Sequence, residues 1–310
     1  MLNDVIKMIV PILATFLLGV MTRKTGIMDR AGCDTIKRLI SRIMLPVILF
    51  NAFLLADYNR DSMVIILVVF VAMLCTLAAA FFIARFFPER KKYMPFLLTS
   101  IEGGTIGYPL CAMLFGALGT SQMAIFDVGH TVYFFLITIP ILQVIDQGGA
   151  DAKNLAKSVL TSPTFDAMVL GILCGVLGVD TMLANTPVFE TYQSLVSFLT
   201  APAGMLILLT LGFDLSIESK LLKPVLLTAV LRYVVMGTAC AISLFIIFKI
   251  VPFTKEQFTT LMLAFALPPS YALPAFAKFE GQSDYVATTI SFCTILTLIV
   301  FVGLSVYALG

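Results

Sequence analysis

The chain has little charge for its length. Only 12% of its 310 residues are Asp, Glu, Lys or Arg, whereas 60% are hydrophobic. A soluble domain usually carries about 25% charged residues, so this chain cannot cover a surface that faces water. Several apolar runs reach the roughly 20 residues needed to cross the hydrocarbon of a bilayer. The composition therefore predicts an all-α polytopic membrane protein.

Other absences exclude further classes. The six cysteines are scattered without CxxC or Cys/His spacing, and the chain has a single histidine, so no metal site is predicted. No nucleotide-binding P-loop is present, so ATP does not drive the protein. No basic patch interleaved with aromatic residues is present either, which excludes nucleic acid as a partner. We expect no cofactor.

The apolar runs divide into ten predicted transmembrane helices, five on each side of a polar segment. Residues 1–145 form the first five-helix repeat, 146–162 a cytoplasmic linker, and 163–310 the second repeat. Because each repeat contains an odd number of spans, the second repeat is inverted relative to the first.

Helices 4 and 9 of this set contain residues that interrupt a helix. In a bilayer, the freed backbone groups must be satisfied by protein or by an aqueous cavity. Interrupted segments at corresponding places in two halves indicate the binding site of a transporter, although a kink used only for packing is the alternative. The predicted site residues at the two interruptions are Glu102, Gly103, Gly104, Gly107, Tyr108, Pro109, Pro268, Pro269, Ser270, Tyr271 and Pro274.

Three ionisable residues are candidates for proton or ion coupling. Glu102 lies at membrane depth, where a carboxylate is costly and usually faces protein or water. It could bind a proton or the solute, or it could accept N–H bonds from the broken helix. Asp127 and His130 are three residues apart and share a helix face. Such a pair suits a proton relay, and an ordinary helix-stabilising pair is the alternative.

Two further polar residues lie inside predicted spans. Asn51 could contact a solute or hold helices together through hydrogen bonds. Arg232 could neutralise an anionic solute, extend to the membrane surface, or pair with a carboxylate.

The distribution of Lys and Arg predicts the orientation. Of 20 such residues, fifteen fall on one side of the predicted spans, four fall on the other, and Arg232 lies within a span. Because cytoplasmic loops are enriched in positive charge, the linker is expected in the cytoplasm and both termini outside the cell membrane.

Short motifs in four spans resemble the auxin efflux carrier family, which includes plant PIN-type carriers and bacterial malate and malonate permeases. The matching stretches are Leu45-Pro46-Val47-Ile48-Leu49-Phe50, Gly104-Thr105-Ile106-Gly107-Tyr108-Pro109-Leu110, Ala201-Pro202 followed by Leu211-Gly212, and Ala266-Leu267-Pro268-Pro269. The resemblance covers nearly the whole chain.

The resemblance implies crossing broken helices in a transport domain that moves against a scaffold like an elevator, and it implies transport of organic anions. The chain departs from the family in two places. Asparagine often stands where this chain has Glu102 and Ala272. A fixed negative charge at Glu102 would oppose a carboxylate substrate unless this residue is protonated.

Together these features predict a secondary transporter, or permease, for a small organic anion such as a carboxylate. The expected partners are that anion and the lipid bilayer, and a homodimer stays open. A membrane sensor or scaffold built on a transporter fold is the alternative function. An intramembrane enzyme is disfavoured because no positioned nucleophile or zinc motif accompanies Asp127 and His130.

Overall fold

A computed structural model describes residues 2–147, 163–215, 219–273, 277, 279 and 281–309. Within these ranges the chain forms helices, turns and loops, and no strand. Pro274 and nearly all of the predicted linker lie outside the described residues. The all-helical class is therefore confirmed for the described part of the chain.

The helices follow one another with short connections. They are α1 Leu2–Thr25, α2 Arg30–Leu39, α3 Leu45–Leu54, α4 Arg60–Ala84, α5 Met94–Thr99, α6 Tyr108–Tyr133, α7 Ile139–Gln147, α8 Pro163–Val176, α9 Val179–Leu183, α10 Pro187–Thr200, α11 Ala203–Asp214, α12 Leu222–Ile250, α13 Lys255–Ala266 and α14 Ser283–Leu309. Wider π-helical turns occur at Ile40–Met44, Gly103–Gly107 and Phe134–Thr138.

Five stretches of the described residues are long and apolar enough to cross a membrane: Arg60–Ala84, Met94–Asp146, Pro187–Asp214, Leu222–Ile250 and Ser283–Ala308. The chain is therefore a multi-pass membrane protein.

The 53-residue stretch from Met94 to Asp146 is too long for one crossing. As a straight helix it would measure about 80 Å, more than twice the hydrocarbon thickness. Gly116 adopts φ 58° and ψ −137°, which disfavours residues with a side chain. A side chain at Gly119 would clash with the carbonyl oxygen of Cys111, so the chain folds back at this point.

The main helix contacts among the described residues form two groups. In the first, α1 packs along α11 and α3 packs along α8. Helices α1 and α11 cross at Gly19 and Gly212, where added side chains would clash with backbone carbonyls of the facing helix. In the second group, α4 packs against α5, α6 and α12, and α13 packs against α6, α12 and α14. The second group contains both interruptions.

Both interruptions are short segments outside the helices. Helix α5 ends at Thr99, Ser100 is extended, and the chain becomes helical again at Gly103. Helix α13 ends at Ala266, and Leu267 is likewise extended, with ψ 152°. The helical path therefore stops at the Gly-rich and Pro-rich sequences.

Candidate functional site

The two interruptions lie against each other in the second helix group. The backbone N–H of Glu102 donates to the carbonyl oxygen of Pro268 at 2.9 Å. The backbone N–H of Ser270 donates to the hydroxyl oxygen of Ser100 at 3.2 Å. Each segment therefore satisfies polar backbone groups that the other leaves outside a helix, as a buried site requires.

The Glu102 carboxylate joins the two segments. Its Oε1 accepts from the Thr105 backbone N–H at 3.0 Å and from the Thr105 hydroxyl at 2.8 Å. Its Oε2 accepts from the Tyr271 backbone N–H at 2.7 Å and from the Ser270 hydroxyl at 3.3 Å. The side chain is buried, with 6% of the residue exposed. The sequence had offered this capping arrangement as one of two interpretations; a role in binding solute or protons stays a prediction.

Arg232 of α12 binds the two segments where they leave α5 and α13. Its guanidinium donates to the carbonyl oxygens of Leu97 at 2.7 Å, Ser100 at 2.8 Å and Leu267 at 2.6 Å. The residue is 1% exposed. Carbonyls at a helix C-terminus carry partial negative charge, so a buried cation there is stabilised by the ends of α5 and α13. Among the described residues Arg232 pairs with carbonyls and with no carboxylate.

Asp127 and His130 of α6 form a second buried polar cluster. The Asp127 carboxylate faces His130 Nδ1 at 3.2 Å, and it accepts from the hydroxyls of Tyr108 at 3.1 Å and Thr131 at 3.2 Å. A Cβ added to Gly103 would lie 3.0 Å from Asp127 Oδ1. The cluster therefore borders the first interruption, and Tyr108 at the start of α6 links the two.

The far side of the His130 ring is apolar. Phe126 stacks on the ring at 6.4 Å between centroids, and Phe134 lies at 5.8 Å. His130 Nε2 is buried without a hydrogen-bond partner among the described residues. The imidazole therefore has one nitrogen toward Asp127 and one without a partner among the described residues.

Comparison with known proteins agrees with these features. The family model described as "Membrane transport protein" matches residues 4–305. The chain belongs to this family. It is the auxin efflux carrier family that the motifs predicted. An "Uncharacterized transporter" from Methanothermobacter thermautotrophicus is 23% identical over 303 residues, which cover 94% of each chain. The family assignment makes an enzyme the less favoured class.

In this membrane transport protein the first interruption packs closely against the first helix group. Thr105, Ile106 and Pro109 face Ile207 and Leu208 of α11 across a gap of about 10 Å³. That space holds at most one water molecule. A larger groove of about 480 Å³ lies elsewhere, between α3, α8 and α10, and its lining is mainly apolar apart from Asp166 and Tyr192. The space beside the first interruption is therefore too small for an organic solute.

The described hydrogen bonds of the Asn51 side chain go to α10 and to neither interruption. Its side-chain oxygen accepts from the Tyr192 hydroxyl at 3.1 Å and from the Gln193 amide at 3.2 Å. These bonds join α3 to α10, which is the helix-joining arrangement that the sequence had left open beside solute contact. Solute contact at Asn51 stays a prediction.

The remaining predicted residues fall at or beside the interruptions. The Tyr271 hydroxyl pairs with Thr294 of α14 at 2.6 Å, and Gly104 lies against Leu45. Pro109 occupies the first turn of α6, where its missing N–H costs nothing. Among the described residues no group of three or more His, Cys, Asp or Glu is placed to hold a metal.

Sequence reasoning missed two contributors, Ser100 and Thr105. Both are hydroxyl residues within two or three positions of Glu102, and both supply hydrogen bonds at the interruptions. Their proximity to a helix break was the available signal, because Ser and Thr often satisfy backbone groups at helix ends.

Proposed function

We propose that this protein is a secondary transporter that moves a small organic anion, a carboxylate, across the cell membrane. The observation that carries the proposal is the meeting of two helix interruptions at one buried polar centre in a chain of a transport family. Unwound segments at membrane depth are found where they are buried in protein or line a solute path.

The transport step that we propose is an elevator-like movement of the second helix group against the first. The first group would serve as the scaffold because Gly19 and Gly212 bring α1 and α11 into close contact. The second group carries both interruptions. The gap of about 10 Å³ between α11 and the first interruption would open during the movement. Ten spans, two inverted repeats and termini outside the cell belong to this proposal.

Proton coupling is assigned to the Asp127–His130 pair. Asp127, Tyr108 and Tyr133 are the ionisable side chains that the described contacts place around the histidine. Replacing His130 with Ala should remove most of the pH response of uptake, because it removes the imidazole to which we assign proton exchange.

Thr131→Val is the matched control for this change. It removes another contact to Asp127 without removing a titratable group, and it should keep the pH response. A His130→Ala variant with the pH profile of the unaltered protein would return His130 to a packing role.

The function is tested by flux in proteoliposomes. Purified protein is reconstituted, and uptake of labelled mono- and dicarboxylates is measured with and without a pH gradient, with empty liposomes as the control. We expect saturable uptake of at least one carboxylate. Stable protein that binds carboxylates without moving them would indicate the sensor function instead, and neither binding nor flux would refute the anion assignment.

A further inference from the structure

The environment of Glu102 is that of a bound carboxylate ligand. Each interruption contributes one backbone N–H and one hydroxyl, and each pair serves one oxygen of the carboxylate. A carboxylate offers about four lone-pair sites, so these donors complete its hydrogen bonding. Two separate segments of the chain therefore form a site that is complementary to a carboxylate in shape and in hydrogen bonding.

The Glu102 carboxylate is buried without a cationic side chain beside it among the described residues. No Lys or Arg pairs with it among the described residues, because Arg232 is used by backbone carbonyls at the other end of the segments. A second anion could not join Glu102 at these donors without close repulsion between like charges in a buried place. A substrate carboxylate and the Glu102 carboxylate would therefore exclude each other.

We propose that Glu102 is a tethered occupant of a carboxylate-binding site, and that a substrate carboxylate binds there by displacing it. This inference rests on the proposed function. Glu102 then determines the charge of the solute that the site accepts. The donors of Thr105, Ser270 and Tyr271 hold Glu102 while the site is empty of substrate and hold the substrate after the exchange.

The direct test removes the occupant. Glu102→Ala deletes Cγ, Cδ and both oxygens, which are the heavy atoms of acetate. We expect acetate to raise the Tm of purified Glu102→Ala by about 2–4 °C in a concentration-dependent manner. Acetamide, which has the same shape without the charge, should raise it much less. The unaltered protein should respond least, and Glu102→Gln should respond less than Glu102→Ala, because a tethered side chain still competes with acetate for the site in both.

Glu102→Gly extends the test by size. It removes one more carbon, so propionate should raise the Tm of this variant more than acetate does. In Glu102→Ala, acetate should raise the Tm more than propionate does. Recovery of folded variant protein only in buffers that contain the matching carboxylate would be the same positive result.

The donors are tested in the Glu102→Ala background. Adding Thr105→Val removes one hydroxyl donor and should weaken acetate binding about tenfold or more, as expected for a hydrogen bond to a charged group. Thr238→Val is the matched control, because the Thr238 hydroxyl is exposed and bonds only to its own helix. It should leave acetate binding unchanged.

A second measurement does not depend on the cavity variants. Glu102→Gln weakens the tethered occupant, because its amide nitrogen cannot accept hydrogen bonds, so the KM for a transported carboxylate should fall about tenfold. Absence of an acetate response in Glu102→Ala, an equal response to acetamide, or an unchanged or raised KM in Glu102→Gln would overturn the proposal. Carboxylate binding to Glu102→Ala without flux in the unaltered protein would instead contradict only the transport function.

Discussion

The two interruptions use different chemistry to leave a helix. The first, between Thr99 and Gly103, contains a carboxylate and leads into a glycine-rich π-helical turn. The second, after Ala266, contains Pro268 and Pro269 and no glycine. Proline has no N–H, so the second segment has fewer donors to satisfy in the membrane interior.

This difference makes the segments complementary. The first supplies acceptors, which are the Glu102 carboxylate and the Ser100 hydroxyl oxygen, to N–H groups of Ser270 and Tyr271. The second returns the Pro268 carbonyl to the Glu102 N–H. Each segment satisfies only some of its own polar groups, so the two segments stabilise each other when they are assembled.

Arg232→Met should break both segments at once and have the largest effect. Three buried carbonyls would lose a charged donor, each bond being worth about 1.5–3 kcal/mol, so we expect the free energy of unfolding to fall by about 3 kcal/mol or more. A thiol-reactive dye can follow unfolding as buried Cys111, Cys240 and Cys293 become accessible.

Arg85→Met is the control for this substitution, because Arg85 is exposed at the end of α4. Arg232→Lys should recover part of the loss, since lysine keeps the charge but cannot reach three carbonyls with a planar fork. Equal stability of the Arg232→Met and Arg85→Met variants would contradict a stabilising role for the bonds from Arg232 to the three carbonyl groups.

Gly107→Ala should push the segments apart. The new Cβ would lie 2.8 Å from Leu267 Cδ1 and 2.8 Å from Met123 Cε, and both of those residues are fully buried. Overpacking of this kind should lower the free energy of unfolding by about 1–3 kcal/mol. The thiol-reactive dye used for Arg232→Met can measure this loss. Gly204→Ala on α11 is the matched control: its Cβ would meet Met113 at an ordinary 3.7 Å, and its stability should stay the same or rise. A Gly107→Ala variant as stable as Gly204→Ala would show that the close contact is not needed.

Ser100→Ala and Ser270→Ala each remove one hydroxyl from one segment, and we expect these two variants to have the smallest effects. Ser100→Ala leaves the buried Ser270 N–H without an acceptor and should cost about 1–2 kcal/mol. Ser270→Ala removes the acceptor of the Ala272 N–H, which is only partly buried, and a 3.3 Å bond to Glu102, so it should cost less, about 1 kcal/mol or below. The reverse order in thermal unfolding would mean that the first segment is not the principal acceptor.

Much of this arrangement was predictable from local sequence. Glycines and prolines inside apolar runs predicted where the helices stop, and a spacing of three predicted that Asp127 and His130 would meet on one helix face. The partners of Asn51 and Arg232 were not predictable, because Tyr192 and Leu97 lie more than 130 residues away in the chain.

The sequence alone determined that the chain is a helical membrane protein of the auxin efflux carrier family with two interrupted spans, because hydropathy and helix-breaking residues act over a few neighbouring positions. Only the tertiary structure decided that the Glu102 carboxylate accepts hydrogen bonds from both interruptions. It also decided that Arg232 donates to the carbonyl groups where α5 and α13 end. Those contacts depend on which distant segments face each other, and many side chains that are equally polar in sequence could have met there instead.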